Sequence, residues 1–186
     1  MKKLLLIIMT SICLSFGFTN EAYISNAADL IMSVNKSVTY QEAYEIAEHT
    51  WNATAETDLE YTYVLGIMMT ESRFNVKARS NCGAMGLMQV MPSTFTAIST
   101  QHGLNYSVSD GYDIEKNIRV GVLFLDKLFR KYGHIDLVSA GYNGGPRAAN
   151  HYRAGNYSYV PKQTMNYVRA VRKNEKYFSV VWRVDL

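Results

Sequence analysis

The apolar residues of this chain recur three and four positions apart over most of its length, the spacing of one face of an α-helix. In residues 115–132, Ile118, Val122 and Leu125 form one stripe, and Gly133 is a typical helix stop. The pattern predicts helices over residues 39–51, 59–72, 92–100, 115–132, 136–142 and 162–178. No run of alternating apolar and polar residues indicates a strand, so we expect a mainly α domain.

Local signals set several helix boundaries. Thr39 and Glu42 have the spacing of a capping box, which predicts the start of the first helix. Residues 28–38 before it are expected to be a polar lead-in. Asp136 is expected to cap the short helix, which the Gly-Gly-Pro run at 144–146 should end.

The N-terminus has the pattern of a secretory signal. Lys2 and Lys3 precede an uncharged run from Leu4 to Phe18, too short to span a membrane comfortably. The best small-residue cleavage site is Ser25-Asn26-Ala27, so we assign residues 1–27 to a signal peptide. An uncleaved membrane anchor is the alternative. Both interpretations predict export, to the periplasm or cell envelope.

Composition narrows the class of protein. The 186 residues are 48% hydrophobic and 19% charged, which fits one folded domain after the leader and excludes a disordered chain. Cys13 lies in the leader, so Cys82 alone remains and no internal disulfide can form. We expect Cys82 to be a small buried residue.

The charge is unevenly distributed along the chain. Residues 28–118 hold 5 basic and 11 acidic residues, a net charge of −6, whereas residues 119–186 hold 12 and 4, a net charge of +8. A basic half suggests attraction to an anionic polymer or surface. The competing interpretation is a set of solvated helix faces.

The sequence offers no metal or cofactor site. The four histidines are far apart, with no His-x-x-x-His pair. There is also no glycine-rich phosphate loop with its lysine, and no Gly-x-Ser-x-Gly turn. We therefore expect chemistry that needs neither a metal nor a cofactor.

Glu71 departs from the pattern of its helix. It continues the apolar stripe of Val64, Ile67 and Met68, where a carboxyl group would be desolvated. Desolvation disfavours the charged form and raises the pKa, as a general acid working near neutral pH requires. The alternative is a carboxylate at a helix end, in water or paired with Arg73 or Arg79.

The segments that follow Glu71 together resemble one family, the soluble-lytic-transglycosylase-like domain, the catalytic unit of many bacterial and phage enzymes that cut peptidoglycan. The matches are colinear and lie between about residues 60 and 170. They are Glu71-Ser72-x-Phe74, Ala78-x-Ser80, Gly83-Ala84-x-Gly86-Leu87-Met88-Gln89-Val90-Met91-Pro92, Asn117-Ile118-x-x-Gly121, Ala140-x-Tyr142-Asn143-x-Gly145-Pro146 and, more weakly, Thr164-x-x-Tyr167-Val168.

The resemblance implies a single lysozyme-like α domain, related in fold to goose-type lysozyme. Residues 28–58 would form the lead-in and first helix, residues 59–178 the catalytic domain and residues 179–186 a tail. Glu71 matches the family's single catalytic acid, which protonates the glycosidic oxygen between N-acetylmuramic acid and N-acetylglucosamine. The resulting carboxylate takes the proton of the muramic acid 6-hydroxyl, whose oxygen closes a 1,6-anhydro ring.

Other positions match the family's substrate-binding residues. Ser80 corresponds to a serine near the acetamido group, Met88 and Gln89 to residues lining the glycan cleft, and Tyr142 to a tyrosine beside the acid whose wall Asn143 helps to shape. Met88 has plain core packing as its alternative, and core packing is the preferred interpretation of Met91.

Three departures from the family pattern stand out. Gln163 replaces a glutamate that usually precedes the threonine, Met85 a smaller residue and Gly144 an alanine. The role of a second acid at position 163 is therefore open.

Three alternatives stay open. A muramidase would hydrolyse the same bond with water, using Asp110, Asp113 or Glu115 as a second carboxylate. A glycan-binding or low-turnover accessory would open the wall for a secretion, conjugation or phage entry apparatus. A nucleic-acid binder is the least favoured reading. We expect a monomer that acts on peptidoglycan glycan strands, meets the membrane only through its leader and binds no nucleic acid.

Overall fold

The computed structural model of the chain describes residues 20–182, the last two by backbone alone, and its regular structure there is helical. Three short 3-10 helices, Val108–Tyr112, Tyr157–Tyr159 and Ser179–Trp182, accompany the α-helices. The α-helices are α1 (20–34), α2 (Tyr40–Ala55), α3 (Tyr61–Glu71), α4 (Pro92–Gln101), α5 (Ile114–Tyr132), α6 (Ile135–Arg153) and α7 (Lys162–Phe178). Between residues 20 and 182 there is no strand, only isolated bridges that join Met85 to Arg79 and to Val90. The mainly α prediction is confirmed.

Helix α3 lies at the centre of the domain. Every residue from Tyr61 to Met68 is buried, so the helix is apolar on all sides. It packs closely against α7, because Gly66 has no side chain: a Cβ there would lie 2.7 Å from the backbone nitrogen of Glu175. The central position of α3 carries its last residue, Glu71, to the place where α6 and α7 also meet.

Most boundary predictions are confirmed. Thr39 and Glu42 form both hydrogen bonds of the capping box that opens α2. Pro92 lies in the first turn of α4. Helix α5 ends at Gly133, whose φ of 69° is the left-handed conformation that glycine adopts without strain.

The prediction of a short helix over residues 136–142 needs correction. His134, not Asp136, is the N-cap of α6, and its Nδ1 accepts a hydrogen bond from the backbone of Asp136. The helix also continues past Tyr142. Its axis breaks at Gly145, which has a φ of 74°, and resumes at Pro146.

The expected polar lead-in at residues 28–38 is wrong in its first part, because residues 20–34 form α1. Ala27, Ala28 and Ile31 are fully buried in the core, and Ile24 is nearly so. The predicted cleavage point after Ala27 falls within this helix. Residues 1–19 of the predicted leader lie outside the described residues. No helix between residues 20 and 182 has the length and apolar character needed to cross a membrane.

Candidate active site

Glu71 ends α3 in a largely desolvated position. The hydroxyl of Tyr167, from α7, donates a hydrogen bond of 2.7 Å to its Oε1. Burial raises the pKa of Glu71 from 4.5 to about 7, and the Tyr167 hydrogen bond opposes this only in part. The direction is the one predicted from the apolar stripe. A carboxyl group with this pKa is substantially protonated at neutral pH.

Neither arginine proposed as an alternative partner pairs with Glu71. The guanidinium of Arg73 donates to the carbonyl of Val34 at 3.1 Å, and Arg79 is exposed. No cation between residues 20 and 182 contributes to the pKa of Glu71. Within the described part of the chain, the carboxyl group therefore lacks a cationic partner that would keep it ionised.

Tyrosines surround the acid instead. Burial, and then the charge of Glu71, raise the pKa values of Tyr142 and Tyr167 well above 10. Both phenols therefore stay neutral and act as hydrogen-bond donors. Tyr142 donates to the carbonyl of Met88 at 2.7 Å, and its ring contacts that of Phe124 at 5.3 Å between centroids. Tyr142 thus lies close enough to Glu71 for the charge of the acid to act on its phenol.

The loop after Glu71 is fixed by a small set of hydrogen bonds. Ser72 Oγ donates to the carbonyl of Leu87 at 2.7 Å. The buried amide of Asn117 accepts from the backbone of Met88 at 2.9 Å and donates to the carbonyls of Met85 and Gly111 at 3.0 and 2.8 Å. In the sequence, Asn117 stands out only as part of a motif. Its role here is to attach the loop to the start of α5.

Gln89 adopts a left-handed backbone conformation, with a φ of 49°. Its side-chain amide donates to the carbonyls of Ala78 and Gly86, at 3.1 and 2.9 Å, which holds this strained position. The residue lines a cavity of about 320 Å³. The other lining residues are Val90, Met91, Thr94, Phe124, Leu128, Lys131, Tyr132, Gly141, Tyr142, Gly145 and Pro146. Glu71 does not line this cavity. Tyr142 does line it, and the charge of Glu71 contributes to the raised pKa of Tyr142.

Ser80 and Asn143 have local hydrogen-bond partners. Ser80 Oγ accepts from the backbone nitrogen of Ala84 at 2.9 Å, within its own loop, and no hydrogen bond joins it to Glu71 in the described residues. Asn143 Oδ1 accepts from Thr164 Oγ1 at 3.0 Å, which ties α6 to the start of α7. Gln163, the departure from the family pattern, is exposed.

Met88 and Met91 each lie in the environment that was predicted for the other. Met88 is fully buried beside Gly121, where any Cβ would overlap its sulfur, so its side chain does not line the cleft and packs in the core. Met91, expected in the core, is 39% exposed and lines the cavity. The two sites differ because Gln89, between them, turns the chain. Cys82 is also exposed rather than buried, since it lies at the tip of the loop between Ser80 and Gly83.

Sequence reasoning missed Tyr167 as a site residue. In the sequence it stands out only as part of a weak motif, three residues after Thr164. The available signal was its place on the apolar stripe of α7 with Val168 and Val171, which faces α3. A tyrosine on such a stripe needs a polar partner for its hydroxyl, and here that partner is Glu71.

The three carboxylates considered for a hydrolytic mechanism are engaged elsewhere. Asp110 forms an ion pair with Lys116 at 2.7 Å, and Asp113 caps α5 through the backbone of Lys116. Glu115 is exposed and lines a separate groove with His49 and Glu56. None of the three contributes to the pKa of Glu71.

Known proteins share parts of this sequence. The Transglycosylase SLT domain model matches residues 49–165. A transglycosylase of Enterobacteria phage PRD1 is 35% identical over 98 residues, which are 53% of this chain and 34% of the phage protein. The soluble lytic murein transglycosylase of Escherichia coli K12 is 34% identical over 96 residues, 50% of this chain and 15% of that protein. This chain therefore matches only a minor part of either relative.

The fold also matches a solved structure. The crystal structure of the 70 kDa soluble lytic transglycosylase from Escherichia coli superimposes with a TM-score of 0.70. The match covers 88% of this chain and 30% of that one, at 24% sequence identity. At this identity the likeness concerns the fold, and it confirms the predicted mainly α, lysozyme-like architecture.

Proposed function

The chain belongs to the transglycosylase SLT family, and on that premise we propose that it is an exported lytic transglycosylase of peptidoglycan. It would cleave the β-1,4 bond between N-acetylmuramic acid and N-acetylglucosamine and leave a 1,6-anhydro end. The observation that carries this proposal is the desolvated Glu71, with its raised pKa and a neutral tyrosine as its hydrogen-bond partner. Burial keeps a proton available at neutral pH, and the Tyr167 hydrogen bond opposes this only in part.

In the proposed reaction Glu71 acts twice. Its proton moves to the glycosidic oxygen as the bond from that oxygen to the anomeric carbon breaks. The muramic acid 6-hydroxyl oxygen then bonds to the anomeric carbon, and its proton returns to the Glu71 carboxylate. The acid is restored, no water is consumed and one carboxyl group suffices.

The positions of the other carboxylates favour this route over hydrolysis. A hydrolytic glycosidase ordinarily needs a second carboxylate, as base or nucleophile, on the far side of the sugar. The Asp110 carboxylate is bound to Lys116, and Asp113 is used as a helix cap. Glu115 lies in a groove on another face of α5 from the Phe124–Lys131 side that lines the cavity.

The cavity beside Tyr142 suits a sugar strand. It combines aromatic and apolar side chains with the polar groups of Gln89 and Lys131, and sugar rings stack on aromatic faces. We assign Gln89, Tyr142 and Asn143 to the glycan-binding wall and Ser80 to the acetamido side, the latter from family resemblance. Met88 would support this wall from the core, through the carbonyl that Tyr142 binds.

The cellular setting is also part of the proposal. An uncharged leader after Lys2 and Lys3 supports export to the periplasm or cell envelope, where peptidoglycan lies. The exposed Lys162, Lys173 and Lys176 of α7 give the basic half a surface that faces solvent and suits an anionic wall. Service to a secretion, conjugation or phage entry apparatus is compatible with a small domain of this kind.

Mass spectrometry of digested sacculi tests the reaction. The proposal predicts muropeptides lighter by one water than the reducing-end forms, produced by the unmodified chain and lost in Glu71→Gln. Products with reducing ends alone would identify a muramidase. A chain that releases no product, and whose binding is unaffected by Glu71→Gln, would be a binding accessory. Both results would contradict the proposal.

A further inference from the structure

The turn that follows Glu71 has an unusual backbone. Arg73 and Phe74, the second and third residues after the acid, both have left-handed conformations, with φ of 52° and 61°. A side chain with a Cβ makes this conformation unfavourable, and two in succession are rare outside glycine. Such strain persists only where surrounding contacts determine it. The turn therefore depends on whatever holds it.

The end of α1 holds this turn through two hydrogen bonds. The side-chain amide of Asn35 donates to the carbonyl of Arg73 at 3.1 Å, and the Arg73 guanidinium donates to the carbonyl of Val34 at 3.1 Å. Val34 is the last helical residue of α1, where carbonyl groups lack partners within the helix. The two bonds run in opposite directions between the same two segments, so they fix their separation and their orientation.

The Asn35 amide is itself oriented. Its oxygen accepts a hydrogen bond from the backbone of Ser37 at 3.0 Å, which leaves the amide nitrogen directed to Arg73. On the other side of the turn, Phe74 is fully buried and its ring meets that of Phe178 edge-on at 5.6 Å. The turn is thus held on one side by the buried Phe74 ring. On the other side it is held by the hydrogen bonds that join Arg73 to Val34 and Asn35, which we call the clamp.

The clamp comes from outside the stretch that the family model matches. That stretch begins at residue 49, whereas Val34 and Asn35 belong to the preceding segment. Helix α1 is nevertheless fixed to the domain, because Ala27, Ala28 and Ile31 are fully buried in its core. Displacement of α1 would release the clamp.

We propose that Asn35 and Arg73 are positioning residues for Glu71, and that α1 is a working part of the catalytic domain. They hold the left-handed turn and so fix the end of α3, which keeps the carboxyl group largely shielded from water and next to Tyr167. The kinetic part of this inference rests on the proposed function. The part that concerns the environment of Glu71 does not.

Asn35→Asp is the sharpest variant, because it keeps the oxygen that Ser37 binds and removes the donor to Arg73. Loss of a single hydrogen bond predicts a kcat about fivefold lower with an unchanged KM for soluble glycan strands. Looser packing would admit water to Glu71, and hydration favours its charged form. The alkaline limb of the pH profile should therefore move to lower pH. Tyr142 and Tyr167, which face Glu71 from α6 and α7, stay neutral in this range and do not obscure the shift.

Arg73 supplies the matched pair of variants. Arg73→Ala removes the donor to Val34 and should repeat the effects of Asn35→Asp, whereas Arg73→Lys keeps a donor and should restore most of the activity. Asn52→Asp, on the exposed side of α2, is the control for an Asn-to-Asp change and should match the unmodified chain.

A carboxyl NMR titration of Glu71 in Asn35→Asp and Arg73→Ala separates this inference from the proposed function. We expect a pKa below that of the unmodified chain in both variants. A lower thermal midpoint with an unchanged pKa and pH profile would overturn the inference and leave a purely structural role. Absence of anhydro product from the unmodified chain would instead overturn the proposed function, without affecting the pKa comparison.

Discussion

Two carboxyl groups of this domain, Glu71 and Asp110, have opposite environments. Glu71, at the end of α3, meets a tyrosine hydroxyl in a desolvated position, and its pKa rises to about 7. Asp110, in the 3-10 helix before α5, accepts hydrogen bonds from Lys116 and from the backbone and hydroxyl of Ser107, and these lower its pKa to about 2. At neutral pH the carboxyl group of Glu71 can thus donate a proton, whereas that of Asp110 is ionised.

The difference shows what makes an acid useful in this fold. Asp110 has a cation and a backbone donor, both of which favour the charged form. Glu71 has only a neutral donor among the described residues and little water, so its proton is retained. A single carboxyl group can then both give and take a proton near neutral pH. A carboxylate like Asp110 could not give one.

The largest expected effect is on activity, and it contrasts the two carboxyl groups directly. Glu71→Gln keeps the shape and the oxygen that Tyr167 binds but removes the transferable proton. Anhydro product formation should fall by at least about a thousandfold. Asp110→Asn, the matched control, should stay within about twofold, because the group takes no part in the reaction. Comparable losses of activity in the two variants would contradict the assignment of proton transfer to Glu71 alone.

The stability of the two regions should change with pH in opposite directions. The pKa of Glu71 is higher folded than unfolded, so its contribution is fully present below pH 4.5 and is lost as pH rises toward 7. At pH 8, Glu71→Gln should therefore be more stable than the unmodified chain, by up to about 3 kcal/mol. At pH 4 the two should be nearly equal.

The pKa of Asp110 is lower folded than unfolded, so its contribution is present above about pH 4 and is lost as pH falls toward 2. Asp110→Asn should destabilise the chain at pH 6 and much less at pH 2. Urea unfolding of both variants and of the unmodified chain at pH 2, 4, 6 and 8 measures how each stability difference changes with pH. If the stability contributions of Glu71 and Asp110 changed with pH in the same direction, the opposite pKa shifts of the two groups would be contradicted.

A third prediction concerns the contact between the two regions. Gly86 has a φ of 70°, and a Cβ there would lie 2.5 Å from the carbonyl oxygen of Gly111, next to Asp110. Gly86→Ala should cost at least about 2 kcal/mol, from the strained φ together with the overlap. Gly103→Ala, with a φ of 65° but open space around it, isolates the first cost and should be the milder change in thermal unfolding. Equal losses of stability in the two variants would mean that the strained φ alone accounts for the effect of Gly86→Ala, and that the overlap with Gly111 costs nothing.

The smallest expected effect comes from the partner of Glu71. Tyr167→Phe removes a donor that lowers the pKa of the acid, so the pKa should rise and the alkaline limb of the pH profile should move to higher pH. The shift should be about half to one pH unit, with a fall in kcat of up to about tenfold. Movement of this limb to lower pH would mean that the hydroxyl does not stabilise the carboxylate.

The sequence predicted those features that depend on local spacing. Helical periodicity and caps located α2, α5 and α7, and the apolar stripe of α3 singled out Glu71 before any resemblance was invoked. Helix α1 was missed because its buried face of alanines and isoleucines begins within the segment interpreted as a signal. Periodicity alone does not distinguish a leader from a buried helix.

The failures within the site have a different cause. Met88 and Met91 lie three residues apart, as neighbours on a helix would, but the left-handed Gln89 sends them to opposite environments. The bond from Tyr167 to Glu71 joins residues 96 positions apart in the chain. Such long-range contacts follow from the packing of α3 on α7, which a pattern along the chain does not specify.

The central claim is that burial, not a charged neighbour, keeps Glu71 protonated near neutral pH. A carboxyl NMR titration of the folded chain, with Glu71→Gln to assign the resonance, measures this directly. We predict a pKa near 7, insensitive to added salt because no ion pair with a residue that the structure describes contributes to it. A pKa at or below 4.5 would contradict it.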